Sequence, residues 1–180
     1  MIKAGAIGVI PTDTVYGLVA KASKRTAIER MYKVKERPHK AGTIIGASIS
    51  QFKDLGFPYE PLRAANHYWP ASLSVVVDAS NVADYLKADR DALPVRIPDS
   101  PKLLKLLSVT GPLMTSSANH PGAPTATTIK QAMAYFGDDI DFYVDAGDLG
   151  DWPPSTIIGF DDAGEIIVHR QGAVKLPHGL

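Results

Sequence analysis

Residues 6–19 read Ala-Ile-Gly-Val-Ile-Pro-Thr-Asp-Thr-Val-Tyr-Gly-Leu-Val, two apolar runs on either side of a polar turn. Residues 6–10 have the length and content of a buried strand, bounded by Gly5 and Pro11. Residues 11–14 turn the chain, and residues 15–19 resume apolar character as a second strand. The period then changes. Ile28, Met31 and Lys35 fall at helical spacing in residues 25–35, and Pro38 ends that helix. Strand–turn–strand followed by helix sets the tone for the rest of the chain.

Farther out, residues 43–47, 73–77, 94–97 and 112–115 read as strands. Ser50 is placed to cap a short helix, and residues 61–69 form another with Pro61 in its first turn. Ser100-Pro101 is a cap followed by a first-position proline, and it opens a helix through Leu107. Thr127 or Thr128 caps a helix through Phe136, closed by Gly137. Residues 142–144, 156–160 and 165–169 are strands, the last two joined as a hairpin by Asp161-Asp162-Ala163-Gly164. Alternating strands and helices with a β-rich end predict an α/β fold with a mixed sheet. Residues 1–174 are expected to form one domain and residues 175–180 a loose tail.

The chain has 180 residues, 45% apolar and 21% charged, enough for one well-buried core. It has no cysteine, which excludes disulfides, thiolate metal sites and cysteine nucleophiles. Lys+Arg and Asp+Glu both number 19, so no global basic field draws in nucleic acid. The apolar start is too short to span a membrane and lacks the pattern of a signal peptide, so a cytoplasmic protein is expected. There is no P-loop, no dinucleotide fingerprint and no nucleophile elbow, and the five histidines show no metal-ligand spacing.

Two polar clusters remain. Lys35-Glu36-Arg37-Pro38 puts two cations at a helix end, and they converge on a polyphosphate only if the helix unwinds there. A solvated basic helix end explains the same spacing. Residues 115–122, Thr-Ser-Ser-Ala-Asn-His-Pro-Gly, offer hydroxyls, an amide and backbone N–H groups to an anion or a ribose, or form an ordinary turn. Arg96 sits in the apolar strand Val95-Arg96-Ile97. Pointing inward it needs an anionic partner; pointing outward, the more ordinary case, it needs none.

Taken together, PTDTVYGL (11–18), KERP (35–38), Trp69-Pro70, VRIP (95–98), SSAN (116–119), PSTI (154–157) and HRQGAV (169–174) resemble the L-threonylcarbamoyladenylate synthase family, also called YrdC/TsaC. The resemblance spans nearly the whole chain and is to the short, single-domain members. It implies a twisted open mixed sheet with flanking helices and a concave basic cavity. It also implies synthesis of threonylcarbamoyl-AMP and pyrophosphate from L-threonine, bicarbonate and ATP, for t6A modification of adenosine 37 in tRNAs that read codons beginning with A. It assigns Lys35 and Arg37 to catalysis and phosphate binding, with Ser117, Asn119 and Arg170 completing the ATP site. Thr14, Tyr16, Arg96, Thr115 and Ser155 are the threonine-pocket candidates. Mg²⁺ is expected to arrive with ATP, with Asp13 and Asp145 as its candidate contacts, and no dedicated protein metal site is expected. The implied partners are the threonylcarbamoyl-transfer machinery and, weakly, tRNA. The chain departs from the family pattern at Ala71-Ser72, where Gly-Pro is usual, at Gly42-Thr43 and at Pro121-Gly122.

Three alternatives remain at this level. One is a module binding tRNA or double-stranded RNA without synthase chemistry, which zero net charge disfavours. Another is a carbamoyl-transfer domain of the hydrogenase-maturation kind, which normally sits in long cysteine-bearing chains. The third is an inactive structural relative.

Overall fold

The computed structural model describes residues 1–36, 42–161 and 163–176. Among these, nine strands form one mixed sheet: β1 (Gly8–Pro11), β2 (Tyr16–Lys21), β3 (Thr43–Ile45), β4 (Leu73–Asp78), β5 (Ala92–Arg96), β6 (Leu113–Ser117), β7 (Phe142–Tyr143), β8 (Thr156–Phe160) and β9 (Ile166–Arg170). Their order across the sheet is β7-β1-β2-β6-β3-β5-β4-β8-β9. The helices are α1 (Arg25–Val34), α2 (Ile49–Lys53), α3 (Tyr59–Ala65), α4 (Asp84–Lys87), α5 (Pro101–Thr110) and α6 (Ile129–Phe136).

Local chemistry explains most of these boundaries. Ser100 Oγ accepts the Leu103 N–H at 3.4 Å, with Pro101 following, so α5 starts as its cap predicts. Thr128 and Gln131 form a reciprocal capping box on α6. The cap of α2 differs from expectation. It falls at Ser48, and the Ala47 N–H is met by Gln51 Oε1 at 2.9 Å. Four-residue α4 carries no clear periodicity, and the sequence reading passes over it.

Side-chain alternation divides the sheet between two cores. Val9, Leu18, Ala20, Ile44, Val75, Val95 and Met114 face the larger one, which α1, α3 and α6 also help to fill. Ile10, Val19, Ile45 and Leu113 face the smaller one, covered by Leu103 and Leu107 of α5. The register pairs Val19 with Thr115, Thr115 with Thr43, Gly17 with Ser117 and Ile45 with Arg96. Gly17, Thr43, Arg96, Thr115 and Ser117 therefore continue the α5-covered face beyond the apolar residues. That polar continuation is where a cavity opens.

The C-terminal elements differ in part from the sequence reading. Alternation along residues 166–170 predicts Ile166 and Val168 anchored in the core with Arg170 on the same face. Ile166 does pack against the larger core, but β9 is the edge strand, and Val168 is 46% exposed. Ile158 pairs with Val168 but Ile157 pairs with Arg170, so one extra residue, His169, bulges between them. The bulge breaks the alternation and re-aims Arg170. Of the expected 175–180 tail, Leu176 packs against the larger core, as does Val174 just before it. Residues 177–180 lie outside the described residues.

Arg30 on α1 clamps Asp141 with contacts of 2.6 and 2.8 Å, while Asp141 Oδ2 also accepts the Ile7 N–H at 2.8 Å. The Arg30 hydrogen bonds, aided by the Ile7 amide, hold the Asp141 carboxyl below its ordinary pKa, against a smaller opposing effect of burial. A depressed acid stabilises the fold above its unfolded pKa of about 3.9, and that contribution disappears as pH falls through the folded value. Wild type should therefore lose stability relative to Asp141→Asn below about pH 4, with the gap between their urea midpoints closing on acidification.

Candidate functional site

The cavity has a volume of about 330 Å³. Its floor comes from Gly17, Thr43 and Thr115–Ser117. One wall is the β1–β2 turn at Thr12 and Thr14, and the other is formed by Ser155, Arg96 and Arg170. The floor is tight. A Cβ on Gly17 would stand 2.5 Å from Thr115 Oγ1 and 2.9 Å from Thr12 Cγ2. In the turn, Thr12 Oγ1 donates to the Val15 carbonyl at 2.6 Å and lies 3.3 Å from Thr14 Oγ1. These bonds fix both hydroxyls at the cavity wall.

Arg96 points inward, contrary to the more ordinary reading of its strand. Its Nη2 meets Asp13 Oδ1 at 2.9 Å, with the two side chains only 3% and 1% exposed. Asp13 Oδ2 accepts the Ser72 hydroxyl at 3.0 Å and the Asp99 N–H at 3.4 Å. Arg96 Nε is buried without an acceptor among the described residues, an expensive state that a bound anion would relieve. Burial pulls the Arg96 pKa below its ordinary value, Asp13 opposes this, and the Arg170 charge adds to the lowering. Arg170 donates from Nε and Nη2 to the Ser155 carbonyl at 3.0 and 2.8 Å, and from Nη2 to Ser155 Oγ at 3.1 Å. Burial lowers its pKa too. Two guanidinium groups thus share one wall, and no carboxylate lines the cavity among the described residues.

Of the sequence-derived candidates, Thr14, Arg96, Thr115, Ser117, Ser155 and Arg170 come together here. Three others lie elsewhere. Lys35 is 2% exposed, and its ammonium donates to the Ser117 carbonyl at 2.6 Å, to the Asn119 carbonyl and to Asn119 Oδ1. It braces the 117–119 loop from behind rather than lining the cavity. α1 ends at Val34 with Lys35 as its C-cap, and Glu36 follows at φ 51°; Arg37 and Pro38, where unwinding would let the two cations converge, lie outside the described residues. Asn119 spends its amide inside the loop, accepting from Ser117 Oγ at 2.6 Å and donating to the Ala123 carbonyl at 2.6 Å. Tyr16 is fully buried. Its hydroxyl donates to the Gly147 carbonyl and accepts the Ala146 N–H, both at 2.8 Å, so it anchors the 145–147 loop and is not a wall of the cavity. Arg37 lies outside the described residues.

Neither acid expected near Mg²⁺ faces the arginine-lined cavity. Asp13 is turned to Arg96, and Asp145 accepts the Gly147 N–H at 2.9 Å. Thr12, Thr43, Ser116 and Thr125 line the cavity without having been singled out. Asp13 was missed as the Arg96 partner, although an inward arginine demands one.

A family model named Sua5_yciO_yrdC, described as telomere recombination, matches residues 1–172. Threonylcarbamoyl-AMP synthase of Vibrio cholerae is 32% identical over 178 residues, covering 95% of this chain and 93% of its own. The synthase of Pseudoalteromonas translucida is 31% identical over 160 residues, covering 85% and 86%. Among solved structures, P. abyssi Sua5 complexed with L-threonine matches with a TM-score of 0.82 and 30% identity, over 95% of this chain and 52% of that one. E. coli YciO matches in fold, with a TM-score of 0.80 at 22% identity. The chain thus spans about half the length of the Sua5 structure and most of the length of the two synthases.

Proposed function

This chain belongs to the Sua5/YciO/YrdC family, and from that premise we propose that its cavity is the active site of a threonylcarbamoyl-AMP synthase. One observation carries the reading: two arginines on one wall face a floor of hydroxyls, with no carboxylate in the lining among the described residues. Such a site suits polyanions and a small hydroxylated amino acid. The threonine amine attacks the carbon of bicarbonate, water leaves, and a carbamate forms. A carbamate oxygen then attacks the α-phosphorus of ATP, and pyrophosphate leaves.

No side-chain nucleophile is needed. Catalysis rests on placement and on fixed positive charge where negative charge gathers. Arg96 takes the threonine carboxylate with its unpartnered Nε, while Thr14, Thr115 and Ser155 orient the amino acid. Arg170 takes phosphate oxygens, joined by Arg37 as the resemblance implies, and Ser117 meets the nucleotide. Lys35 and Asn119 serve by holding the Ser117 loop. Mg²⁺ carried with ATP would be held by phosphate oxygens and water, because no carboxylate lines the cavity among the described residues. In this reading the protein serves tRNA t6A modification as a cytoplasmic enzyme and hands its product to a threonylcarbamoyl transferase. An RNA-binding module without this chemistry is not favoured: the cations gather inside a cavity of about 330 Å³, too small for a duplex.

Pure protein incubated with ATP, L-threonine and bicarbonate should yield threonylcarbamoyl-AMP and pyrophosphate; absence of the adenylate refutes the reading. L-Serine, which keeps the hydroxyl, should be a poorer substrate, and L-valine poorer still. Arg170→Ala should weaken ATP binding roughly 10- to 100-fold by calorimetry, as for a lost charged hydrogen bond. Its melting temperature should move by only a few degrees, because β9 is an edge strand.

A further inference from the structure

Trp152, at 66%, is more exposed than any other tryptophan, tyrosine or phenylalanine among the described residues. It borders two recesses. One, of about 210 Å³, has Val15, Pro124, Ala126 and Leu149 as its apolar walls, with Asp151 also in its lining. The other, of about 340 Å³, is lined by Asp13, Asp148 and the two turn threonines. Both adjoin the arginine-lined cavity. Val15 and Thr125 are shared with the apolar recess, and Thr12 and Thr14 with the acidic one. The apolar recess is a built feature, because the Leu149 N–H donates to the Thr127 carbonyl at 2.9 Å and ties its two walls together.

The geometry points to Trp152 as the aromatic platform on which the nucleobase of the bound nucleoside triphosphate stacks, inside the recess formed by residues 124–127 and 149–152. This deepens the synthase reading and rests on it. A nucleotide is charged at one end and flat and weakly polar at the other. The three regions sort those ends by their chemistry. Phosphates belong with Arg170, and Asp148 in the second recess repels them. The base, which gains from apolar walls and a π-face, belongs with Trp152. The shared Val15 and Thr125 edge lets one ligand occupy both regions. Trp152 is thus a binding residue for the base, and phosphate contacts do not depend on it.

The chain's only other tryptophan, Trp69, is 9% exposed with its Nε1 donating to the Leu73 carbonyl, so a ligand-dependent change in fluorescence reports on Trp152. Titration with ATP should quench or shift that emission, and inorganic tripolyphosphate, which lacks a base, should not. Trp152→Ala should weaken ATP binding roughly 5- to 100-fold by calorimetry while tripolyphosphate affinity stays unchanged, and Trp152→Phe should recover most of the loss. Wild-type ATP affinity in Trp152→Ala, or equal quenching by tripolyphosphate, overturns the stacking. A protein that binds ATP in this way but makes no threonylcarbamoyl-AMP supports the stacking and refutes the synthase reading. An active synthase whose ATP affinity ignores Trp152 refutes only the stacking.

Discussion

Asp13→Asn is expected to cost about 3–5 kcal/mol of stability, because it leaves the Arg96 guanidinium charged, buried and without its counter-ion. Both side chains are almost wholly removed from solvent, and their contact is 2.9 Å. No water can take over the role of the carboxylate, and the neighbouring Arg170 charge makes an unpaired Arg96 costlier still. Urea unfolding should show a lower midpoint at unchanged slope. The double variant Asp13→Asn/Arg96→Gln should recover part of the loss, because it removes the uncompensated charge. It should still fail to bind threonine, because Arg96 supplies the carboxylate contact. A single Asp13 variant within 1 kcal/mol of wild type would show that the pair is not a buried ion pair in solution. Ser72 explains one departure from the family pattern. Its hydroxyl donates to Asp13 Oδ2 at 3.0 Å, a bond that the usual proline cannot make. Ser72→Ala should cost only about 1 kcal/mol, the loss of a single hydrogen bond.

Gly172→Ala is expected to be nearly as damaging, for a steric reason. A Cβ at this position would lie 2.1 Å from the Pro154 carbonyl oxygen and 2.7 Å from that of Ser155. These are backbone atoms, so no rotamer change relieves the clash. The chain must lift away, and what it lifts from is specific. Ala173 N–H donates to the Pro154 carbonyl at 2.9 Å, and Gly172 and Val174 N–H donate to Thr156 Oγ1 at 3.0 and 3.1 Å. Thr156 Oγ1 in turn donates to the Val174 carbonyl at 2.6 Å. Overpacking and the lost bonds together put the cost at about 2–4 kcal/mol. The Ser155 carbonyl that would be struck is also the one that receives Arg170. Activity should therefore fall further than in Arg170→Ala. An unchanged melting temperature and turnover would show that the 171–174 segment does not hold this wall.

The elements legible in the sequence are those set by near neighbours. Ser100-Pro101, Thr128 with Gln131, and the turn at 161–164 each satisfy backbone groups within a few residues. Hydrophobic period separates helix from strand on the same short range. The order of motifs along the chain also located most of the cavity, because strand ends and tight turns carry them. Tertiary pairing decided the rest. Gly17 and Ser117 meet only because β2 and β6, a hundred residues apart, lie side by side, and that register gives the cavity its face. Arg96 turns inward because Asp13 waits behind it, whereas Lys35 turns toward the 117–119 carbonyls. A long charged side chain has many rotamers of similar energy, and its direction is chosen by whichever partner the fold brings within reach. The bulge at His169 makes the same point for the backbone. One extra residue against Ile157–Ile158 reverses the facing of Arg170, and only the pairing with β8 determines that an extra residue is there.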